Sequence, residues 1–169
     1  MAGVFNTTFA TTWNLCCLAT NPDWLARVRA EIDAVVAKHR LSETEPLVDV
    51  FQRLSLRDWE TRFPVLQSTI TESIRFTMAG AVVRKNISGK DLKIGGTRYV
   101  IPNGSLSIHA TADAHMNEDI YPDSSRWNPG RFTKDVPQGS DVPHGYLGWG
   151  SGNHPCPAQR VSFAYRSMT

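Results

Sequence analysis

In the stretch WGSGNHPCPAQR, Trp149 to Arg160, a cysteine stands between two prolines, shortly after two glycines and a histidine. Gly150 and Gly152 permit tight turns and close backbone approach to a ligand, while Pro155 and Pro157 restrict the backbone on either side of the thiol. That is an unusual setting for a core cysteine. It describes a thiol held on a stiff loop and presented to something. A helix beginning just after Cys156 would aim its amide dipoles at the sulfur and favour the thiolate, the form that binds metal. The competing reading is a buried cysteine beside a turn, and the loop alone does not separate the two.

The chain has 169 residues, enough for one domain that buries roughly 70% of its unfolded surface. With 41% hydrophobic and 20% charged residues it has the make-up of an ordinary globular protein. A net charge of +2 is too small to argue for nucleic acid, and the bases are scattered apart from pairs such as Arg84-Lys85. No apolar run is long enough to cross a bilayer, and Met1 is not followed by a basic-then-apolar signal pattern. The expectation is a chain with no membrane segment and no export signal. Two of the three cysteines, Cys16 and Cys17, are neighbours, which argues against a disulfide framework and for a reducing compartment. There is no CxxC to suggest structural zinc.

Residues 1–20, MAGVFNTTFATTWNLCCLAT, are apolar and Thr-rich on nearly every side, as in a helix buried all round. Asn21-Pro22-Asp23 starts a second helix, with an N-cap, a proline at the first position and an acid near the positive end of the dipole. Leu25, Val28, Ile32 and Val35/Val36 follow at helical spacing, and LSETEP breaks the pattern. Pro64 opens another helix carrying Val65, Leu66, Ile70 and Ile74. After Gly80 the period turns to alternation, with short strands turning at Gly95-Gly96 and at Pro102-Asn103-Gly104. Ala114 to Gly148 is a long Pro/Asp/Ser/Gly-rich stretch whose anchors Tyr121, Trp127, Phe132 and Tyr146 argue for order. A final helix starts near Pro157. The chain thus begins inside one helix and ends inside another, and is expected to be an incomplete domain.

Three motifs fall in one order along the chain. WGSGNHPCPA resembles the haem-ligand loop of the cytochrome P-450 superfamily; ESIR, with Glu72 and Arg75 one turn apart, resembles its E-x-x-R; and WNPGRF resembles its later P-x-R-F. Taken alone, an E-x-x-R pair is usually a solvated surface bridge. The resemblance covers essentially the whole chain and only the C-terminal part of a family member. It implies a mainly α fold with short β-strands, truncated. Residues 1–20 would be the distal helix, 21–40 a helix, 64–78 the E-x-x-R helix and 80–110 short strands. Residues 114–148 would be the meander, 149–158 the haem-ligand loop and 157–169 the start of the proximal helix.

By the same resemblance Cys156 is the ligand of the haem iron (haem b, iron protoporphyrin IX), pushing electron density that favours O–O cleavage. His154 and Arg84 stand where the family places bases that reach the haem propionates. Glu72, Arg75 and Arg131 form a buried network that locks the meander. Trp149, Gly150 and Ala158 lie against the haem; Trp149 takes the usual phenylalanine position and Ala158 that of the commoner glycine. The substrate side is implied to involve Ala2, Ala79, Gly80, Ala81, Val82 and Val83.

The distal pattern of the family is Ala/Gly, Gly, any residue, Asp/Glu, Thr, Thr/Ser. Ala2-Gly3 fits; Phe5 then replaces the acid and Asn6 the proton-relay threonine, with Thr7 beside it. A one-residue shift puts Asn6 at the acid and Thr7 at the threonine but sacrifices the glycine, and the spacing on to Asn21-Pro22 favours the first register. Asparagine can hold a water but has no hydroxyl to pass a proton on.

The resemblance implies a monooxygenase acting on a small apolar substrate, with electrons from NADPH through NADPH-cytochrome P-450 reductase. The setting implied is intracellular, at the endoplasmic reticulum membrane for a full-length relative. Phe5-Asn6 motivates an alternative, a reductase-independent isomerase or dehydratase on the same fold. A third is an inactive truncated haem-binding fragment, whose distal helix would expose Val4, Phe5, Phe9, Trp13 and Leu18.

Overall fold

The computed structural model describes residues 2–78, 80–133, 135–153, 155–157 and 159. Among them the chain forms helices α1 (Ala2–Ala19), α2 (Pro22–His39), α3 (Leu47–Gln52), α4 (Leu56–Thr61), α5 (Pro64–Thr77) and α6 (Thr111–His115). Strands β1 (Ala81–Lys85), β2 (Leu92–Lys93), β3 (Val100–Ile101) and β4 (Leu106–Ala110) follow α5, and a 3-10 turn occupies Pro129–Phe132. The fold is mainly helical with short antiparallel strands.

Helix α5 is the centre. Ile70 and Ile74 are almost fully buried and join Leu66, Trp59 and Phe63 with Val28 and Val35 of α2 and Ala10, Cys17 and Leu18 of α1 in one core. Trp59 stacks on Phe63 with ring centroids 4.9 Å apart. On α1 the buried residues Thr7, Ala10, Asn14, Cys17 and Leu18 recur at helical spacing, so that helix has an inner face. The expectation of burial all round does not hold: Phe5 is 72% exposed, and Phe9, Trp13 and Leu15 are exposed as well. Leu18, expected on the exposed side, is only 3% exposed, because its position on the helix turns it towards the core.

Both long inner helices open on a proline, whose missing N–H costs nothing in the first turn. The expected Asn21 cap is corrected. Asn21 stands at the N-cap position of α2, but its Nδ2 donates to the Cys17 carbonyl (2.8 Å), so it closes the end of α1 instead. Phe63, the N-cap of α5, has no side chain able to accept, and Glu31 of α2 takes over that task. Its two carboxylate oxygens accept from Val65 N–H (2.8 Å) and Leu66 N–H (2.9 Å), satisfying two orphan donors at the positive end of the helix.

β1 and β4 pair antiparallel, with Val82 opposite His109 and Arg84 opposite Ser107. β2 and β3 form a second antiparallel pair, closed by a turn at Gly95-Gly96 where Gly96 has φ 70°. Asn86 links the two pairs, donating from Nδ2 to the Lys90 and Ile101 carbonyls at 2.9 Å each. Thr111, the first residue of α6, grips Gly80. Its N–H donates to the Gly80 carbonyl and its Oγ1 accepts from Gly80 N–H, both at 2.9 Å. The joint between α5 and β1 is thereby pinned to the end of β4.

Among the described residues no helix is long and apolar enough to cross a membrane.

Candidate functional site

Glu72 and Arg75 are not a solvated surface pair: both side chains have zero exposure. Arg75 Nε and Nη2 donate to the two carboxylate oxygens of Glu72 at 2.7 and 2.8 Å, a bidentate geometry that suits a buried pair. The remaining donors of Arg75 leave the helix. Nη1 donates to the His115 carbonyl (2.6 Å) and Nη2 to that of Ser124 (2.9 Å). Glu72 in turn accepts from Asn128 N–H at 2.8 Å, beside the Arg131 guanidinium, whose Nε lies 3.5 Å from Glu72 Oε1. Arg131 donates onward to the Asp123 carbonyl (2.8 Å) and to Gln138 Oε1 (3.1 Å). Glu72, Arg75 and Arg131 therefore meet in one place, and the described residues between 115 and 138 are wrapped around them. Two buried cations share one carboxylate, and other donors of theirs reach backbone carbonyls and the Gln138 side-chain oxygen.

A second polar thread ties α1 to the same region. Ser73 Oγ donates to Asn14 Oδ1 and accepts from the Trp127 indole N–H, each at 3.0 Å.

From Arg75 the network continues to the cysteine loop through His115, which sequence reasoning missed. His115 is 1% exposed, and its Nε2 accepts from Leu147 N–H at 2.9 Å. Burial, with the Arg75 guanidinium beside it, pushes its pKa down to about 4, so the ring is neutral. Its face stacks on Tyr146, centroids 5.3 Å apart. Gly148 comes next, and a Cβ there would meet the Ile74 methyl at 2.6 Å, so the loop leaves α5 through a gap only glycine fits. Trp149 is half-buried against the core, and its carbonyl accepts from Cys156 N–H at 2.7 Å. Gly150 and Gly152 turn with φ 79° and 82°. Cys156 itself is exposed.

The loop and the β1–β4 sheet enclose a cleft of about 650 Å³, in the range of small-molecule and cofactor sites. Gly150, Ser151 and Gly152 line one side; Ala81, Val82, Val83 and Arg84 line the other. His109 and His144 also face it, and no carboxylate is found among the described residues that line it. A basic cleft with apolar strand residues, lined by the loop that carries an exposed thiol, suits a flat apolar group that carries a metal and carboxylates. The Gly152 Cβ position has no atom within 4 Å, so the loop backbone is open to such a group. On this chemistry the residues present fit haem.

Asn6 faces a second, smaller cleft of about 320 Å³ with Phe5, Phe9, Met78, Gly80 and Leu147. Thr7 is 5% exposed and lies with the buried residues of α1. The two candidate relay residues thus differ in setting. Ala2 belongs to α1, and its side chain, with Ala79, His154, Ala158 and the helix expected beyond Pro157, lies outside what the structure describes. His115, Thr111 and His109 had no motif to mark them; a histidine ahead of a Pro/Asp-rich stretch, and a Thr facing a glycine across thirty residues of sequence, become visible only once the contacts are formed.

Comparisons with known proteins agree with this architecture. The sequence profile described as cytochrome P-450 matches residues 1–165. The cytochrome P-450 monooxygenase AacuE of Aspergillus aculeatus is 36% identical over 143 residues, covering 85% of this chain and 28% of that protein. The cytochrome P-450 monooxygenase nsrP of Aspergillus novofumigatus is 33% identical, over 82% of this chain and 27% of that protein. The fusicoccin H C-9 hydroxylase of Phomopsis amygdali is 28% identical, over 86% and 26%. The chain spans about three tenths of the length of such relatives. With a matching profile over nearly its full length and motifs in the family order, the chain belongs to the cytochrome P-450 family.

Proposed function

We propose that this chain forms the haem-thiolate part of a monooxygenase that inserts one atom of O2 into a small apolar substrate, with electrons from NADPH delivered by a reductase. The exposed Cys156 follows on the loop whose Gly150, Ser151 and Gly152 line a cleft with Arg84, with no carboxylate among the described lining residues, and that arrangement carries the reading. Bound haem would supply dioxygen binding and reduction at iron. Cys156 would give the iron its thiolate; Gly150 would let the loop approach, and Trp149 would shield the sulfur and tune it by hydrogen bonding. Ala158 would stand close to the ring. Arg84 and His154 would hold the carboxylate edge. Glu72, Arg75 and Arg131 do no chemistry; they hold the 115–138 wrap and, through His115, the approach to the loop.

On the other side Ala2, Ala79, Gly80, Ala81, Val82 and Val83 would form the substrate wall, kept in place by the grip of Thr111 on Gly80. Phe5, Phe9 and Met78 make the smaller cleft apolar. Within it the Asn6 amide would hold a water by its carbonyl or NH2, with Thr7 behind it offering a hydroxyl from the buried face. Association with the endoplasmic reticulum membrane belongs to the same proposal.

The lack of a hydroxyl at Asn6 motivates a second reading, a rearrangement on the same fold that needs no delivered protons and no reductase. The two part on electron transfer. Haem-loaded protein mixed with NADPH-cytochrome P-450 reductase and NADPH in air is expected to oxidise NADPH at a rate that Cys156→Ala abolishes. Stable haem binding with no reductase-dependent NADPH oxidation would overturn the monooxygenase reading in favour of rearrangement.

A further inference from the structure

We infer that His109, in β4, is a further carboxylate-binding residue of the large cleft, acting beside Arg84; the inference rests on the haem reading above. The register pairs Val82 with His109 and Arg84 with Ser107, so these four residues share one face of the β1–β4 pair. Arg84 and His109 are diagonal neighbours on that face, and both line the cleft.

The basic groups there are not equivalent. His144 is already engaged, its Nδ1 lying 2.6 Å from Ser151 Oγ. Among the described residues the Arg84 Nη1 donates only to the adjacent Val83 carbonyl, at 3.0 Å. The His109 side chain has no hydrogen-bond partner among the described residues, and no carboxylate among the described lining residues neutralises either group. An imidazole and a guanidinium side by side, facing a cavity without an internal counter-ion, are complementary to an anion that comes from outside the chain. The open backbone at Gly152 across the cleft leaves room for a flat ring between the loop and the strands. Nothing in the three motifs points to His109; strand register alone brings it to Arg84.

The test separates carboxylate binding from packing. Protein loaded with haem, and separately with haem dimethyl ester, is mixed with excess apomyoglobin, and loss of the group is followed at the Soret band. His109→Leu is expected to speed haem loss about ten-fold, the size of one charge-assisted hydrogen bond, and to leave loss of the diester unchanged. His109→Lys should restore the wild-type rate for haem. Equal acceleration for both groups would make His109 a packing residue, and no acceleration for haem would make it a bystander; either overturns the inference while leaving the haem reading standing. A wild-type protein that holds no haem overturns both.

Discussion

Both oxygens of Glu72 are engaged, to Arg75 by two bonds and to the Asn128 amide, with Arg131 alongside. Replacing it by glutamine keeps the shape and one acceptor but leaves two buried guanidiniums without a counter-charge. Breaking such a site typically costs on the order of 3 kcal/mol, so Glu72→Gln is expected to lower the urea midpoint by that equivalent. A loss below about 1 kcal/mol would show that the wrap does not depend on this charge. His115 sets a pH limit at the same scale. Its pKa falls from 6.5 to about 4 on folding, because burial and Arg75 disfavour the charged ring. The unfolded chain therefore takes up the proton first. Stability from this group is complete above pH 6.5 and is lost as pH falls towards 4, by on the order of 3 kcal/mol in all. His115→Gln, which still offers an oxygen to Leu147 N–H, is expected to flatten urea-derived stability between those pH values. An unchanged slope would sink the assignment. Glu72, Arg75 and Cys156 stand out in the sequence because their neighbours form motifs. His115 and Thr111 do not, since their partners lie about thirty residues away and carry backbone groups that leave no trace in sequence.

At the level of elements, α5 depends on a cap from another helix. Glu31→Ala removes the acceptors for Val65 and Leu66 N–H, and a loss of about 1–2 kcal/mol in urea unfolding is expected, with helical content otherwise kept. No loss would mean that water serves those donors equally well. Helices α2 and α5 are readable in sequence because each combines a proline at the first position with apolar residues at helical spacing. α3 and α4 are six residues each, too short for a periodic signal, and follow the break at LSETEP. What marks α4 is the capping box between Ser55 and Asp58, with Asp in place of the usual Glu or Gln. Asn21 shows the limit of local reading. The residue type is right for a cap, but the Cys17 carbonyl, which also accepts from Thr20 Oγ1, takes its amide.

Across the whole molecule, α1 has one face in the core and one bare. Phe5 stacks on Phe9 (6.4 Å) and Phe9 meets Trp13 edge-on (6.1 Å), an aromatic stripe at i, i+4 spacing facing solvent. Such a stripe promotes self-association. The triple change Phe5→Ser, Phe9→Ser and Trp13→Ser is expected to shift the chain from aggregate to monomer in size-exclusion chromatography, with little change in circular dichroism. If the soluble fraction does not rise, the stripe is not what drives association. Sequence showed that α1 was apolar without showing which side faced in, because α5 decides the orientation.

Haem-thiolate chemistry in this chain requires the Cys156 sulfur to be available to iron. The most direct measurement is the Soret spectrum of the haem-loaded, reduced protein under carbon monoxide, for wild type and Cys156→Ala. A red-shifted, thiolate-type band in the wild type that Cys156→Ala removes is the predicted result. A blue-shifted band of histidine type, unchanged by that substitution, would contradict it.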